Sequence, residues 1–321
     1  MNTIHCTGIV ILNYNNWEDT INCIKSVEKF NTAKVKYIIV DNGSPKEGVV
    51  QAIDDFLVDS FGPDYDKYIE GQAIQSPLKK VSFLISGTND GYAQGNNKGL
   101  ALAYADSEID EILILNNDIL FVQDIIEPLR VQLYDSANCA IVSPLLFKKN
   151  LEGIDYNCAR REHNPWEIII AYMCMYKDLF GLLKYYDGKQ YFLKGHDELL
   201  KNKSIGIDLP SGSCMLMKKN ALRNIGGFDP NTFLFYEEDI LYKKLSKLKL
   251  NSYLVPECKC IHLGACSTSK TTNYFSLSAQ FKSSLYYLHN YVDLSVIQRV
   301  CLLLGSMVFR VKLWAIKMQK S

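Results

Sequence analysis

The sequence predicts an α/β fold with a mostly parallel central sheet flanked by helices. Three observations carry that expectation. Four β-branched apolar runs are each followed by a polar loop and a helical pattern, the runs are apolar at nearly every residue, and each ends on hydrogen-bonding residues. Strands alternating with helices in this way build parallel βαβ units, and continuous apolarity suits strands covered on both faces.

The first run, residues 7–12, ends at "NYNN", after which Trp17, Ile21, Ile24 and Val27 recur at helical spacing. "VKYIIV" then precedes the loop "DNGSPKEG". "KVSFLIS" precedes "GTNDGYAQGNNKG", with a helix expected from about Asn97, and "EILIL" precedes "NNDIL", with a helix expected from about Val122. "CAIVSPLLF" reads as a fifth strand. Residues 148–205 change to long aromatic and basic segments such as "PWEIIIAYMCMYKDLFGLLKYY" and read as an inserted flap or subdomain. Regular order returns over 206–268, with "GIDLPSGSCMLMKK", the turn "GGFDP", a helix across "EEDILYKKLSKLKL" and a strand across "NSYLVPECKCIHL". Residues 269–321 read as a C-terminal helical extension. With no repeat or low-complexity linker, residues 1–268 parse as one Rossmann-like domain, divided at 1–147, 148–205 and 206–268.

With 35 basic and 35 acidic side chains the formal charge is zero, which argues against a nucleic-acid partner. The 10 cysteines are scattered with no CxxC spacing, as expected of reduced, buried thiols in a cytosolic protein rather than a disulfide scaffold. The start has neither a basic region nor a small-residue cleavage site, so its apolar run reads as a strand and not as a signal peptide. Near the other end, "VIQRVCLLLGSMVFRVKLWAIKMQK" is apolar and basic. Arg299 and Arg310 bracket a stretch far shorter than the ~20 residues that span a bilayer. Two readings stand. The segment lies on a membrane surface, which would put the protein at the inner face of the cell membrane, or it packs on the domain or on the second subunit of a homodimer.

In an open parallel sheet, ligands bind beyond the carboxyl ends of the strands. Those ends carry Asn13, Tyr14 and Asn15; then Asp41, Asn42 and Ser44; then Asn89, Asp90, Gly91, Gly95 and Asn96; then Asn116, Asn117 and Asp118. Asx and Gly residues are ordinary turn formers, but four consecutive strand ends of this kind point to a binding rim. The loop 87–99 is neither G-x-G-x-x-G nor a phosphate loop ending in Gly-Lys-Ser/Thr. Its glycines would still let backbone amides approach a ligand, and the helix N-terminus after it favours an anion.

Asp118 reads two ways: as part of a helix cap, or as the single carboxylate of a Mg2+ or Mn2+ site completed by substrate phosphates. The acids 237–239 stand at a helix start with lysines further along, which complements the helix dipole and is equally where catalytic carboxylates would sit. Cys258, Cys260 and His262 alternate onto one strand face, but CxCxH lacks the ligand spacing of zinc sites, so the cysteines read as core. His262 either completes a metal site with Asp118 or is a hydrogen-bonded structural histidine.

Taken together, "VILNYNNWEDTINCIKSV", "YIIVDNGS", "NDGYAQGNNKGL", "ILILNNDIL", "LPSGSCMLMKKNALRNIGGFDPNTFLFYEEDILYKKL" and "HLGACS" resemble the family 2 inverting glycosyltransferases, in particular their bacterial rhamnosyltransferase-like group. The resemblance spans residues 7–147 and 206–268 and implies the A-type glycosyltransferase fold. It implies a nucleotide-binding part over 1–147 and an acceptor and catalytic part over 206–268. Asn13, Tyr14 and Asn15 would line the nucleotide site and Asp41 would bind base or ribose. The loop with Asn89, Gly91, Gly95 and Asn96 would enclose the nucleotide sugar, and Gly212 would line the sugar and acceptor pocket. Asp118 and His262 would hold Mg2+ or Mn2+ on the diphosphate, with Asn117 beside it. Asp239 would be the general base, with Glu238 next to it.

One departure stands out: where many relatives have Asp-X-Asp, this chain has Asn116, Asn117 and Asp118, and one negative charge fewer weakens cation binding. The implied donor is dTDP-rhamnose or a UDP-hexose, and the implied acceptor is a glycan or polyprenyl-linked glycan of bacterial surface polysaccharide. A nucleotidyltransferase would share the sheet and the metal acid but should show a triphosphate loop after the first strand, where this chain has "NYNNWED". A non-catalytic sugar-nucleotide-binding protein would keep the pocket without needing the acids at 238 and 239.

Overall fold

The computed structural model describes residues 5–175, 181–264 and 273–318. The end of the "HLGACS" segment, with Cys266, lies outside the described residues. The chain runs through β1 (Thr7–Asn13), α1 (Trp17–Phe30), β2 (Val35–Asp41), α2 (Val49–Phe61), β3 (Tyr65–Ile69), β4 (Val81–Ile85), α3 (Gly91–Ala105), β5 (Glu111–Asn116), β6 (Ile119–Phe121), α4 (Ile126–Asp135) and β7 (Cys139–Lys148). It continues through β8 (Ala159–Arg160), α5 (Pro165–Met173), α6 (Leu182–Gln190), β9 (Ile205–Ile207), β10 (Leu209–Pro210), β11 (Cys214–Lys218), α7 (Lys219–Asn224), α8 (Glu237–Lys247), β12 (Asn251–His262), α9 (Asn273–Asn290) and α10 (Val296–Met318).

Among the described residues ten strands form one sheet in the order β3-β4-β2-β1-β5-β11-β7-β12-β6, with β9 also paired to β12. Its first five strands are all parallel, and there the register brings Asn13 level with Asp41, Asp41 level with Ile85, and Leu12 level with Asn116. Their carboxyl ends therefore share one rim. The second half is mixed: β12 runs parallel to β7, while β11 runs antiparallel to both β5 and β7, and β6 and β9 run antiparallel to β12, so the sheet as a whole stays mostly parallel, as expected. β11 pairs with β5 on one side and β7 on the other, so the two halves form one continuous sheet, and α4 carries the chain from β6 across to β7.

Side-chain alternation on the strands explains the layering. Ile9, Ile11, Tyr37, Ile39, Leu113 and Leu115 face one core with Ile24 of α1, Ile53 of α2 and Leu129 of α4. The residues between them, Val10, Ile38, Val40, Ile112 and Ile114, face the other with Leu100 of α3, Leu222 of α7 and Leu241 of α8. A period of two with apolar residues in both phases is what a doubly covered sheet requires, and each such side chain contributes roughly 1.5–3 kcal/mol. A third cluster joins α5, α9 and α10 to Tyr236 and Ile240 around the start of α8. Cys258 and Cys260 lie fully buried in the first core, as their apolar setting implied.

Two local expectations are corrected, and one strand is added. The helix expected from about Asn97 begins at Gly91. After Asp118 the chain forms β6 before α4, so no helix starts there and Asp118 is not a helix cap. The edge strand β3 escaped notice because its residues are mostly polar and half-exposed.

Candidate active site at the carboxyl rim of the sheet

The amino ends of the strands hold paired charges. Arg130 donates to Glu111 at 2.5 Å and to Thr7 at 2.9 Å, and Lys36 meets Asp106 at 2.7 Å. The carboxyl rim is built differently. At its centre Asn13 is enclosed, donating to Asp41 at 2.7 Å and accepting from Thr20 at 2.9 Å, while Ser44 donates to Asp41 at 2.6 Å. Asn15 adopts a left-handed backbone, and its amide donates to Ser44 at 2.8 Å; Tyr14 is half-buried beside it. Asn117 donates to Thr20 at 3.0 Å and to the Asn16 carbonyl at 3.2 Å, tying the end of β5 to the start of α1. Asn13 and Asn117 thus have their amides committed to shaping the rim.

The glycines of the third loop serve packing. Gly91 has φ +83, and a Cβ there would lie 2.1 Å from the Phe233 carbonyl oxygen; at Gly95 it would lie 2.7 Å from Leu12. Gly95 and Asn96 sit inside α3 and are buried, with the Asn96 amide donating to the Tyr92 carbonyl at 2.9 Å, so the expected loop around a ligand ends at Gly91. Asn89 accepts from Asn42 and from the Gly91 amide, each at 3.0 Å.

Asp118 and His262 meet because β6 pairs antiparallel with β12, setting His262 opposite Ile119. His262 Nε2 lies 3.4 Å from Asp118 Oδ2, and His262 Nδ1 lies 2.8 Å from Asp155 Oδ2. Burial pulls the imidazole down, but the hydrogen bonds and charges of Asp118 and Asp155 outweigh it and hold His262 at about 10. Asp118 Oδ1 is buried with no hydrogen-bond partner among the described residues. An orphaned carboxylate oxygen next to a histidine backed by a second carboxylate suits a divalent cation that displaces the Nε2 proton, since metal-bound histidines donate their other N–H in this way. Among the described residues no group of three or more His, Cys, Asp or Glu side chains is arranged to hold a metal. Two protein ligands fit Mg2+ or Mn2+ if phosphate oxygens supply the rest.

The acids of α8 divide by environment. Phe235 and Tyr236 both hold left-handed backbone (φ 73 and 68) immediately before Glu237. Such strain collects at functional turns. Glu237 is buried, and burial together with the charge of Glu238 pushes it well above the carboxylate range. The Asp239 side chain is 2% exposed and its Oδ1 lies 2.5 Å from His163 Nδ1. Burial alone would raise Asp239, but the charge and hydrogen bond of His163, and then Arg160, hold it low. Glu238 is the acid that reaches the surface, 19% exposed. Its Oε1 accepts from the Gly212 amide at 2.9 Å, and its Oε2 lies 3.8 Å from Arg160. Tyr92 donates to the Gly212 carbonyl at 2.6 Å, and a Cβ on Gly212 would lie 2.8 Å from both Glu238 and Tyr92.

These contacts close into a ring. From Asp41 it passes through Asn13 and Asn117 to the adjacent Asp118, then to His262 and Asp155. Residues 155–160 carry it to Arg160, and from there it runs through Glu238, Gly212 and Tyr92 to Gly91, Asn42 and back to Asp41. Asp155, Arg160 and His163 come from the segment that showed no motif. The one signal available was the charge cluster "ARREH" within an otherwise aromatic stretch. A cavity of 510 Å³ between Phe147, Ile154, Leu200 and Pro256 includes none of the rim residues.

Comparison with known proteins agrees with this architecture. The family model described as Glycosyl transferase family 2 matches residues 8–226. The low-salt glycan biosynthesis hexosyltransferase Agl10 of Haloferax volcanii is 26% identical over 231 residues, 72% of this chain and 58% of its own length. An N-acetylglucosaminyl-diphospho-decaprenol L-rhamnosyltransferase of Mycobacterium tuberculosis is 35% identical over 78 residues, 24% of this chain and 25% of its own. Among solved structures, GalNAc-T7 with UDP, GalNAc and Mn2+ superposes with a TM-score of 0.59 at 13% identity, over 93% of this chain and 54% of that one, a likeness of fold. The chain thus spans little more than half the length of the hexosyltransferase and of the solved chain.

Proposed function

The chain belongs to glycosyl transferase family 2, and on that premise we propose that it is an inverting transferase moving a sugar from a nucleoside-diphosphate donor to a hydroxyl of a glycan or lipid-linked glycan. The closed ring carries this reading, because it joins an orphaned carboxylate beside a histidine, at Asp118 and His262, to a carboxylate that reaches the surface, at Glu238. Transfer with inversion asks for these two things: stabilisation of a leaving diphosphate and a base for the incoming hydroxyl.

Asp118 and His262 would hold Mg2+ or Mn2+, which when bound offsets the charge gathering on the diphosphate. Glu238 accepts the proton of the attacking hydroxyl. The Gly212 amide fixes Oε1, leaving Oε2 toward Arg160. Asp239 is better suited to positioning: paired to His163 and closed off, it locks the first turn of α8 so that Glu238 meets the rim. Polar groups along Asn13, Asp41 and Asn89 shape the donor side. The fold resembles a structure holding UDP and Mn2+, and the relatives' names point to hexose or rhamnose donors and to a lipid-linked acceptor. Both dTDP-rhamnose and UDP-hexoses therefore belong in the test.

A thermal-shift screen of sugar nucleotides with Mn2+ provides it. A ligand at 100 times its dissociation constant stabilises by about 2.7 kcal/mol. The reading expects a nucleoside diphosphate sugar to give the largest shift. Stabilisation by nucleoside triphosphates alone, with pyrophosphate released on turnover, would instead mark a nucleotidyltransferase.

A further inference from the structure

α10 carries two faces of opposite fate. Leu302, Phe309 and Leu313 are buried with Ile169 and Tyr172 of α5 and with Tyr236 at the start of α8. At Gly305 the helix comes so close to α5 that a Cβ would lie 3.1 Å from Met173 and 3.3 Å from the Ile169 carbonyl. On the opposite face Ile297, Val300, Leu304, Met307, Val311 and Trp314 are all exposed, Trp314 by 64%. They recur at alternating intervals of three and four, which forms one stripe along a helix of 3.6 residues per turn. Arg299, Arg310 and Lys317 stand along one edge of that stripe, and the helix contains no acidic residue. No helix among the described residues is long and apolar enough to cross a membrane. α10 is also fastened along its inner face, so it can offer its outer one only from the side.

We propose that the outer face of α10 docks flat on an anionic lipid surface, with the apolar stripe in the headgroup region and Arg299, Arg310 and Lys317 against lipid phosphates. Amphipathic helices with a basic edge and exposed Trp and Leu bind membranes in this way. The stripe has the spacing of a coiled-coil seam as well, but a second copy answers it less well. Leu303 and Val308 on either side are also exposed, making the apolar face wider than a seam, and no acid of α10 would meet the edge cations across a two-fold contact. Through Tyr236 and Ile240 the same packed cluster supports Glu238 and Asp239. Docking would thus hold the rim near the surface, and this last step rests on the transferase reading, with an acceptor carried on a lipid.

Flotation of the full chain with vesicles of phosphatidylcholine, alone or mixed with phosphatidylglycerol, tests the docking without any donor. The chain should float with the mixed vesicles and much less with phosphatidylcholine alone. Each basic residue near an anionic surface is worth about five-fold in partition, so Arg299→Gln, Arg310→Gln and Lys317→Gln together should lower it ~100-fold. Val300→Gln with Met307→Gln and Trp314→Gln should abolish flotation while leaving the melting temperature and donor-induced shift unchanged, since these side chains are exposed. Absence of flotation with mixed vesicles, or flotation indifferent to both triple variants, overturns the proposal. A dimer by light scattering that the apolar triple variant returns to monomer assigns the face to a second copy. A donor-induced thermal shift in a chain that never floats leaves the transfer reading standing, and flotation without any donor response does the reverse.

Discussion

Replacing Glu238 by Gln, beside Asp239 by Asn, separates the two carboxylates at the start of α8. Gln keeps the length of Glu238 and an oxygen for the Gly212 amide, so the fold gives up chiefly the 3.8 Å ion pair with Arg160, about 1 kcal/mol at most. What it loses is a proton acceptor, and a positioned base is worth ~10²–10⁴-fold in turnover. Asp239→Asn acts on the fold instead. Its carboxylate is 2% exposed and 2.5 Å from His163. Stranding a buried charge would cost about 3–5 kcal/mol, but His163 can release its proton, leaving roughly the 1.5–3 kcal/mol of a hydrogen bond to a charged group. Thermal melts and donor-consumption kinetics on both variants are the assay. The account expects E238Q to melt like the parent with turnover collapsed, and D239N to melt lower with a much smaller loss of turnover. A D239N variant that melts normally and is inactive, beside an active E238Q, would refute the reasoning and return the base to Asp239.

The same ion pair sets a pH dependence. Burial pulls His163 down, but Asp239's charge and hydrogen bond lift it above 6.5, while Asp239 is held below 3.8. The pair's stabilisation is therefore complete between those two values, declines as pH rises through the raised pKa of His163, and is lost in acid as Asp239 protonates. The melting-temperature difference between the parent and His163→Asn, followed against pH, should narrow at both extremes. Asp155→Asn removes the carboxylate behind His262 and should weaken Mn2+ affinity about 10–100-fold at unchanged fold, measured by Mn2+ titration. Gly91→Ala places a methyl 2.1 Å from the Phe233 carbonyl at φ +83 and should cost at least about 2 kcal/mol in urea unfolding.

Apart from the polar edge strand β3, the parallel half of the sheet was legible in the sequence because its strands are apolar in both phases, which few other structures tolerate. Asn13, Asp41 and Asp118 were legible as strand-end polar residues, and the register places them on one rim. The mixed half was harder to read. A single strand such as β11 has no local signal for direction, and β6 is only three residues long. Composition could not tell that Gly95 packs on Leu12 instead of facing a ligand, because a close approach and a flexible loop select the same residue. Nor could it separate Glu238 from Asp239, neighbours whose difference arises from His163 and Arg160, far away in sequence.

The central claim, direct transfer with Glu238 as base, is tested most directly by the anomeric configuration of the product. Proton NMR of the reaction of the purified chain with dTDP-rhamnose and UDP-hexose donors, Mn2+ and a lipid-linked glycan acceptor reads it. The account predicts a product whose anomeric centre is opposite to that of the donor, formed by the parent and not by E238Q. Retained configuration, or equal product from E238Q, would contradict it.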